Sequence, residues 1–305
     1  MQEAYRLIKK NRLAFTGLVI FLIFFSIALS GLILTSGVKP VFDPAMVRLQ
    51  EKLLPPLSKP HMETLRTEQV PTLRIYLFGT DDLGRDIFAR MLQGAWVSLT
   101  VGFVAVGISV IIGILLGGMA GYFGHHHVLR ISIDTLIMRF VDIMLCFPSF
   151  FLILTVVALL PASIYNIMIV IGLTSWMGTA RFVRAEFLSL REQDFVTAAR
   201  ALGIGDWRII FKHMIPNAVA PVLVSATIGI ASAILTEAGL SFLGFGVPPP
   251  HATWGNILSD GKRFIFDAPW LTFIPGFAIL IVVLAFNLFG EGLRDILNPK
   301  LRERY

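Results

Sequence analysis

Residues 194–217 read DFVTAARALGIGDWRIIFKHMIPN and lie between two long apolar stretches of the chain. The first part of this segment predicts a short amphipathic helix, with Asp194 as its N-cap. The apolar residues of that helix recur at helical spacing and are Phe195, Ala199 and Leu202. Gly203 ends the helix, because glycine readily adopts the left-handed conformation of a helix C-cap.

The second part of the segment predicts another amphipathic helix, which begins at Asp206, a suitable capping residue. Its apolar stripe consists of Trp207, Ile210, Phe211 and Met214. Pro216 is expected to end this helix, because proline has no backbone N–H with which to continue it. Two short helices joined at a sharp angle form a projecting surface that suits a groove on a partner protein.

The composition of the chain excludes a soluble globular protein. Of its 305 residues, 55% are hydrophobic and 15% are charged, and the mean hydropathy is +0.76. About 20 apolar residues cross the hydrocarbon core of a bilayer. Six stretches reach or approach that length: Leu13–Val38, Val97–Tyr122, Ile143–Leu160, Ser163–Ala180, Ala218–Leu243 and Leu271–Gly290. The third is short unless it begins near Ile131. That start would bring three charged residues into or beside the membrane: Asp134, Arg139 and Asp142.

Lysine and arginine are concentrated at the N-terminus, between the fourth and fifth spans, and at the C-terminus. Basic residues in the short flanks of membrane spans face the cytoplasm. An even number of spans places both termini on one side, and that side holds the basic excess. We therefore expect both termini and the segment between the fourth and fifth spans to be cytoplasmic. This topology accounts for the net charge of +6, so a nucleic-acid partner is not needed.

The runs Thr197–Gly203 and His213–Asn217 resemble the EAA loop of permease subunits in binding-protein-dependent ABC importers. Thr197 stands where the general motif has glutamate, and His213 where it often has an aliphatic residue; both departures are similar to the peptide and nickel branch. Three more runs resemble that branch, in its second-subunit type: Phe78–Arg90 (FGTDDLGRDIFAR), Glu237–Gly246 (EAGLSFLGFG) and Asn287–Asp295 (NLFGEGLRD). Trp96 departs from the branch, which commonly has arginine at that position.

The resemblance implies an all-α, multi-pass protein of the cytoplasmic (inner) membrane, with about six transmembrane helices and the type I ABC importer permease fold. The implied layout has four parts. Residues 1–38 form a cytoplasmic N-terminus and the first helix, 39–95 an extracytoplasmic segment, 96–293 a five-helix core, and 294–305 a cytoplasmic tail. The core includes a cytoplasmic coupling loop, 185–217.

The resemblance also implies the partners of the chain. A second homologous permease subunit would enclose the pathway with it, and an extracytoplasmic binding protein would deliver peptides or a related small solute. Two cytoplasmic ABC ATPase subunits would bind the coupling loop at seven residues: Thr197, Ala198, Ala199, Gly203, Asp206, His213 and Pro216. ATP and Mg would bind those ATPases, because the chain has no Gly-x-x-x-x-Gly-Lys-Ser/Thr loop. The chain itself is expected to be no enzyme, to bind no cofactor or metal, and to contact membrane lipid.

Charged residues near the bilayer are candidates for a pathway or gate. Arg139 and Asp142 are three residues apart on a helix and can pair; the alternative to a gate is a self-neutralised cluster at the cytoplasmic end of the third span. Glu237 has no evident partner in the sequence, which leaves another chain, water or the outer surface as its surroundings. The run His125–His127 could bind a metal weakly, but a solvated loop is the preferred interpretation.

A different function class stays open at this point. A stand-alone secondary transporter could be driven by protons through Glu237 or Asp142. Such proteins contain inverted repeats with discontinuous paired helices, and neither is recognisable in this sequence. The sequence also leaves open whether the solute is a dipeptide, an oligopeptide or nickel, and whether the two permease subunits are identical.

Overall fold

The structure is a computed structural model that describes residues 8–63, 65–124, 127–128 and 131–297. Its helices are α1 (Arg12–Thr35), α2 (Ile87–Tyr122), α3 (Ile133–Leu145), α4 (Ser149–Leu159), α5 (Ile164–Arg191), α6 (Asp194–Ala201), α7 (Asp206–Ile209), α8 (Ile215–Phe242), α9 (Trp254–Gly261) and α10 (Trp270–Leu297). The predicted all-α membrane fold is confirmed. The described strands are a short antiparallel pair, β1 (His127–Val128) and β2 (Ile131–Ser132).

Among the described residues, five helical segments are long and apolar enough to cross a membrane. They are α1, α2, α5, the continuous helix Asp206–Phe242, and α10. The second begins at Ile87, ten residues before the predicted Val97, so its 36 residues extend well past the hydrocarbon core.

The predicted third span is a pair of helices, α3 and α4, bent by 80° at the break between them. Pro148 is the N-cap of α4, and a proline disfavours helical geometry in the residue before it. α3 begins at Ile133, so the longer start anticipated for this span is the observed one, and it carries Asp134, Arg139 and Asp142. Counting the bent pair as one span gives the six that the sequence predicts.

α2 packs closely along α5, and this contact fixes the centre of the bundle. A Cβ added to Gly117 would lie 2.3 Å from the carbonyl oxygen of Ala180, so only glycine permits the observed approach. At Gly121, one turn later, an added Cβ would lie 2.6 Å from Cβ of Phe187. The close contact therefore continues to the end of α2 and positions the loop that follows α5.

Contacts between helix termini define two opposite ends of the bundle. At the first, Gly292 of α10 lies directly against Ala14 of α1, and Asn11 Nδ2 donates to Asp295 Oδ2 at 3.5 Å. The segment between α5 and α8 lies at this end too, since a single cavity is lined by Glu186, Asn217 and Arg294. We call it the loop end. From residue 298 on, the predicted tail lies outside the described residues.

The opposite end, here called the far end, holds residues 36–63 and 65–86, and the segment between α8 and α10. The first of these, the outer segment, is irregular as expected: it has two 3-10 turns (Leu49–Glu51 and Thr67–Gln69) and two isolated β-bridges. Trp270 Nε1 donates to the carbonyl oxygen of Thr80 at 3.3 Å, which ties the outer segment to the start of α10.

Candidate functional site

The first helix of the coupling loop, α6, begins at Asp194, and its N-cap is Gln193 instead of the predicted Asp194. Its buried residues are Val196 and Ala199, whereas Phe195 and Leu202 are exposed, Leu202 to 80%. The predicted stripe is therefore wrong for Phe195 and Leu202. Helical spacing is satisfied by two apolar faces of this helix, and packing against the bundle selects the one with Val196.

The turn after α6 is the predicted glycine C-cap. Gly203 has φ +72° and donates its N–H to the carbonyl oxygen of Arg200 at 2.9 Å, while Ile204 N–H donates to the carbonyl oxygen of Ala199 at 3.1 Å. α7 then starts at Asp206, after Gly205 as its N-cap. Asp206 is thus the first helical residue and not the cap.

The second helix of the loop does not end at Pro216, contrary to the prediction. A π-helical turn, Ile210–Met214, joins α7 to α8, and Ile215 N–H donates to the carbonyl oxygen of Ile210. A π turn is wider than an α turn, and its altered hydrogen bonding precedes the position where proline supplies no N–H. The result is one helix of 37 residues from the loop into the membrane.

The apolar residues of this second helix point in two directions. Ile210 and Met214 are buried as predicted, together with Ile209. Trp207 and Phe211 are exposed and stack on each other, with ring centroids 6.1 Å apart, so their assignment to the buried stripe is wrong. Large apolar side chains that are exposed on a loop outside the membrane spans indicate a binding surface.

A buried cluster anchors the coupling loop in the bundle. Five of its side chains are fully buried: Val183, Phe187, Val196, Ile209 and Met214. Tyr122, at the end of α2, adds a polar tie, because its hydroxyl donates to Asp206 Oδ1 at 2.6 Å. The guanidinium of Arg200 lies 5.0 Å from the centroid of the same tyrosine ring. Sequence analysis missed Tyr122 and Arg200.

The structure distributes the seven predicted coupling residues unevenly. Five are exposed: Thr197, Ala198, Gly203, Asp206 and Pro216. His213 is half-buried, and Ala199 is buried within the loop cluster. The accessible surface of the loop therefore combines the five exposed residues with the four exposed apolar side chains Phe195, Leu202, Trp207 and Phe211.

The charged residues of α3 pair with α5. Asp134 forms an ion pair with Arg184, whose Nη2 lies 2.5 Å from Asp134 Oδ2. Asp142 pairs with Arg181, and its contact with Arg139 is longer, at 4.0 Å. The predicted Arg139–Asp142 pair is present, but Arg181 is the nearer partner. These contacts form the self-neutralised cluster that the sequence left as the alternative to a gate.

Glu237 has no exposed surface. Ser241 Oγ donates to its Oε1 at 2.6 Å, and Ser98 Oγ donates to its Oε2 at 3.4 Å. Ser98 Oγ also accepts from the backbone N–H of Trp254 at 3.3 Å, so these residues join α8, α2 and α9. Glu237 therefore has hydrogen-bond partners within the chain, which the sequence did not reveal.

A second charged group lies at the far end, within the motif 78–90. Asp81 is fully buried, and its Oδ2 accepts from Arg85 Nε and Arg90 Nη1, each at 2.6 Å. Asp260, in α9, contacts the same two arginines at 3.1 and 3.0 Å. This network fixes the outer segment to α2 and α9. The motif 78–90 supplies Asp81, Arg85 and Arg90 of this network, but the sequence did not reveal Asp260 as their partner.

No group of three or more potential metal ligands occurs among the residues that the structure describes. His125 and His126 lie outside them, and His127 is described only as part of β1.

The sequence model of the family "Binding-protein-dependent transport system inner membrane component" matches residues 109–303. The dipeptide transport system permease protein DppC of Alkalihalophilus pseudofirmus is 44% identical over 301 residues, covering 99% of this chain and 90% of that protein. Its Haemophilus influenzae counterpart is 39% identical, with 99% and 96% covered. The oligopeptide permease protein OppC of Bacillus subtilis is 40% identical, with 76% and 74% covered.

Among solved structures, the inward-facing MetNI methionine ABC transporter contains a chain that superposes with a TM-score of 0.55 at 18% identity. The match covers 70% of this chain and 98% of the other. At that identity the likeness shows a shared fold.

Proposed function

This chain belongs to the family of binding-protein-dependent transport system inner membrane components, and from that premise we propose that it is the permease subunit of an ABC importer for peptides. It is a multi-pass membrane protein that shares the fold of an ABC transporter subunit. Di- and oligopeptides are the proposed substrates, because the similar proteins are named for dipeptide and oligopeptide transport.

The exposed surface of the coupling loop is the observation that carries this proposal. Leu202 and Trp207 are exposed to 80% and 62%, while Val196 and Ile209 in the same short helices are fully buried. A loop that is anchored on one face and apolar on the other suits a tight protein partner. We assign this face to the cytoplasmic ATPase subunits, two per importer, which would bind ATP and Mg in place of this chain.

Movement of the loop has a direct route into the membrane. The helix that starts at Asp206 continues for 37 residues, roughly 55 Å at 1.5 Å per residue, to the far end of the bundle. The Tyr122–Asp206 hydrogen bond and the buried cluster connect this helix to α2 and α5, so these two helices would move with it. ATP binding would close the ATPases and turn the bundle outward, and hydrolysis would reset it.

The second permease subunit is assigned to the face formed by α3 and α4. Four large apolar residues of this face are exposed: Phe140, Phe147, Phe151 and Leu159. Two homologous subunits packed there would enclose the pathway between them. The binding protein is assigned to the far end, where the outer segment and the segment between α8 and α10 lie together.

A stand-alone secondary transporter is set aside. Its proposed proton carriers are a fully buried Glu237 held by two serines and an Asp142 paired with arginines. The fold is that of an ABC transporter subunit, so energy is expected to enter through the loop end.

The proposal is tested by purifying the complete importer after substituting one exposed leucine. Leu202→Asp places a charge in the proposed apolar contact, so we expect ATPase co-purification and peptide-stimulated ATP hydrolysis to fall by about tenfold. Leu73→Asp, at an exposed leucine of the outer segment and far from the coupling loop, is the matched control and should retain ATPase co-purification. Peptide uptake into liposomes by this chain without ATPases, or equal behaviour of the two variants, would refute the proposal.

A further inference from the structure

A cavity of about 400 Å³ lies in the outer segment, immediately past the far end of α1. Its lining includes five charged residues, Lys39, Asp43, Arg48, Glu68 and Asp86, and it also includes Ala89 of α2. None of them takes part in the coupling loop or in the Asp81 network, so the cavity is separate from those two sites.

Arg48 is the most buried charged residue of the cavity lining. The residue is 6% exposed, and its Nε donates to the carbonyl oxygen of Gln69 at 2.5 Å. Its Nη1 is buried and has no hydrogen-bond partner among the residues that the structure describes. Arg48 forms no ion pair with any residue that the structure describes, so its positive charge on the cavity lining would attract an anionic group.

The charges around the cavity have both signs. Lys39 and Arg48 supply positive charge, while Asp43, Glu68 and Asp86 supply carboxylates. A purely anionic ligand would be attracted by the first set and repelled by the second. A ligand with an anionic group and an ammonium group satisfies both.

An apolar groove of about 500 Å³ lies on the membrane-facing surface of α1 and points to the nature of the ligand. The α1 residues that line it recur at helical spacing and are Val19, Leu22, Ile23, Ser26, Ile27 and Ser30. Leu92 of α2 also lines this groove. Ala89 of the cavity precedes Leu92 by three residues, so both lie on one face of α2, roughly 4.5 Å apart along its axis.

The depth of the cavity agrees with a lipid headgroup. α1 has 24 residues and a length of roughly 36 Å, enough to cross the hydrocarbon core of about 30 Å. The cavity begins at Val38, three residues after α1 ends at Thr35, and therefore lies at the headgroup level. The groove extends along α1 from Ser30 to Val19 and therefore lies at the depth of the hydrocarbon.

We propose that the cavity and the groove together bind one zwitterionic aminophospholipid, such as phosphatidylethanolamine. Its phosphate would accept from Arg48 and Lys39, its ammonium would donate to the carboxylates of Asp43 and Glu68, and one acyl chain would occupy the groove. A zwitterionic dipeptide matches the charges but leaves the groove empty. The lipid would hold α1 and the outer segment against α2.

Native mass spectrometry of the purified, delipidated full chain tests this assignment. Phosphatidylethanolamine and phosphatidylglycerol with identical acyl chains are titrated separately, and we expect one molecule of the former to bind about tenfold more tightly. Arg48→Gln and Lys39→Gln should each weaken that binding by about tenfold, because each removes a charge-assisted hydrogen bond. Lys59→Gln, at an exposed lysine outside the cavity, should not change it.

The groove is tested by Ser26→Trp, which fills it, against Leu29→Trp, at an exposed position of α1 that does not line the groove. Only the first should weaken lipid binding. If Arg48→Gln fails to fold, Lys39→Gln and Ser26→Trp decide the matter, since both positions are exposed on the surface. Equal binding of the two lipids, or variants that match their controls, would overturn the proposal. Displacement of the lipid by dialanine or by inorganic phosphate would overturn it too, because either would assign the cavity to a soluble ligand.

Discussion

Gly203 and Gly205 flank the turn of the coupling loop and differ in one physical respect. A Cβ added to either would meet no atom within 4 Å, so neither is required for close packing within the described chain. Gly203 has φ +72° and Gly205 has φ −64°. Only the first conformation strains an L-residue, by about 1–2 kcal/mol.

The same substitution at both glycines separates conformation from size. Gly203→Ser is expected to distort the turn and lower the peptide-stimulated ATPase rate of the assembled importer by about fivefold. Gly205→Ser should leave the rate unchanged, because serine is a favourable N-cap for α7. A normal rate for Gly203→Ser would show that the left-handed turn is dispensable for coupling.

Asp86 gives the outer segment a dependence on pH. Burial raises the pKa of this carboxyl to about 6 from its ordinary 3.8, against the lowering effects of the Phe88 N–H and of Arg48. The folded state therefore holds the proton more tightly than the unfolded state. The stabilisation is complete below about pH 4 and is lost as the pH rises through 6.

Asp86→Asn removes this dependence while keeping an oxygen that can cap α2. We expect the variant to melt near the wild-type temperature at pH 4 and above it at pH 8, by at most about 3 kcal/mol in unfolding free energy. Thermal melts of the detergent-purified chain, followed by tryptophan fluorescence at both pH values, measure the difference. The same offset at both pH values would contradict the assignment.

At the scale of elements, two arginines test how α3 is held against α5. Arg184 pairs with Asp134 through both carboxylate oxygens and is one-third exposed, whereas Arg139 is 78% exposed and 4.0 Å from Asp142. Arg184→Gln is expected to destabilise the chain by about 1–2 kcal/mol, because it leaves Asp134 without its partner.

Arg139→Gln is the matched control and should not change the melting temperature measurably, since exposed ion pairs contribute little. Differential scanning fluorimetry in detergent compares the two variants with the wild type. If both lower the melting temperature equally, net charge and not the Asp134–Arg184 pair determines the stability of this region.

The elements that sequence could predict are those fixed by local chemistry. The apolar runs gave the long spans, and the residue type at Gly203 gave the left-handed turn. The prediction that the helix ends at Pro216 was wrong, because a π turn at Ile210–Met214 lets one helix continue past this proline. The buried face of α6 and the Tyr122–Asp206 bond depend on residues distant in the chain, so local spacing could not identify them.

At the scale of the whole molecule, motifs spread along the chain indicated the family. The contacts that these motifs make could be seen only in the three-dimensional structure. Asp81 and Asp260 are far apart in sequence and share Arg85 and Arg90. Glu237, from another motif, meets Ser98 of α2 inside the bundle. Both sets connect different elements at the far end, whereas the movement proposed for transport starts at the loop end.

The two ends of the bundle lead to a prediction about membrane orientation. The helix ends near Ala14 and Gly292 are in contact, and the coupling loop lies at the same end. The basic excess predicts that this end is cytoplasmic. Phe266, 96% exposed, lies at the opposite end, just before α10.

Cysteine labelling of intact cells tests this orientation after Cys146→Ser has removed the single native thiol. Phe266→Cys should react with a membrane-impermeant maleimide in intact cells. Glu192→Cys, at an exposed position where α5 ends, should react only after the membrane is permeabilised. The reverse pattern would place the coupling loop outside the cell, where no ATP-driven partner could act on it, and the proposed entry of energy through that loop would fail.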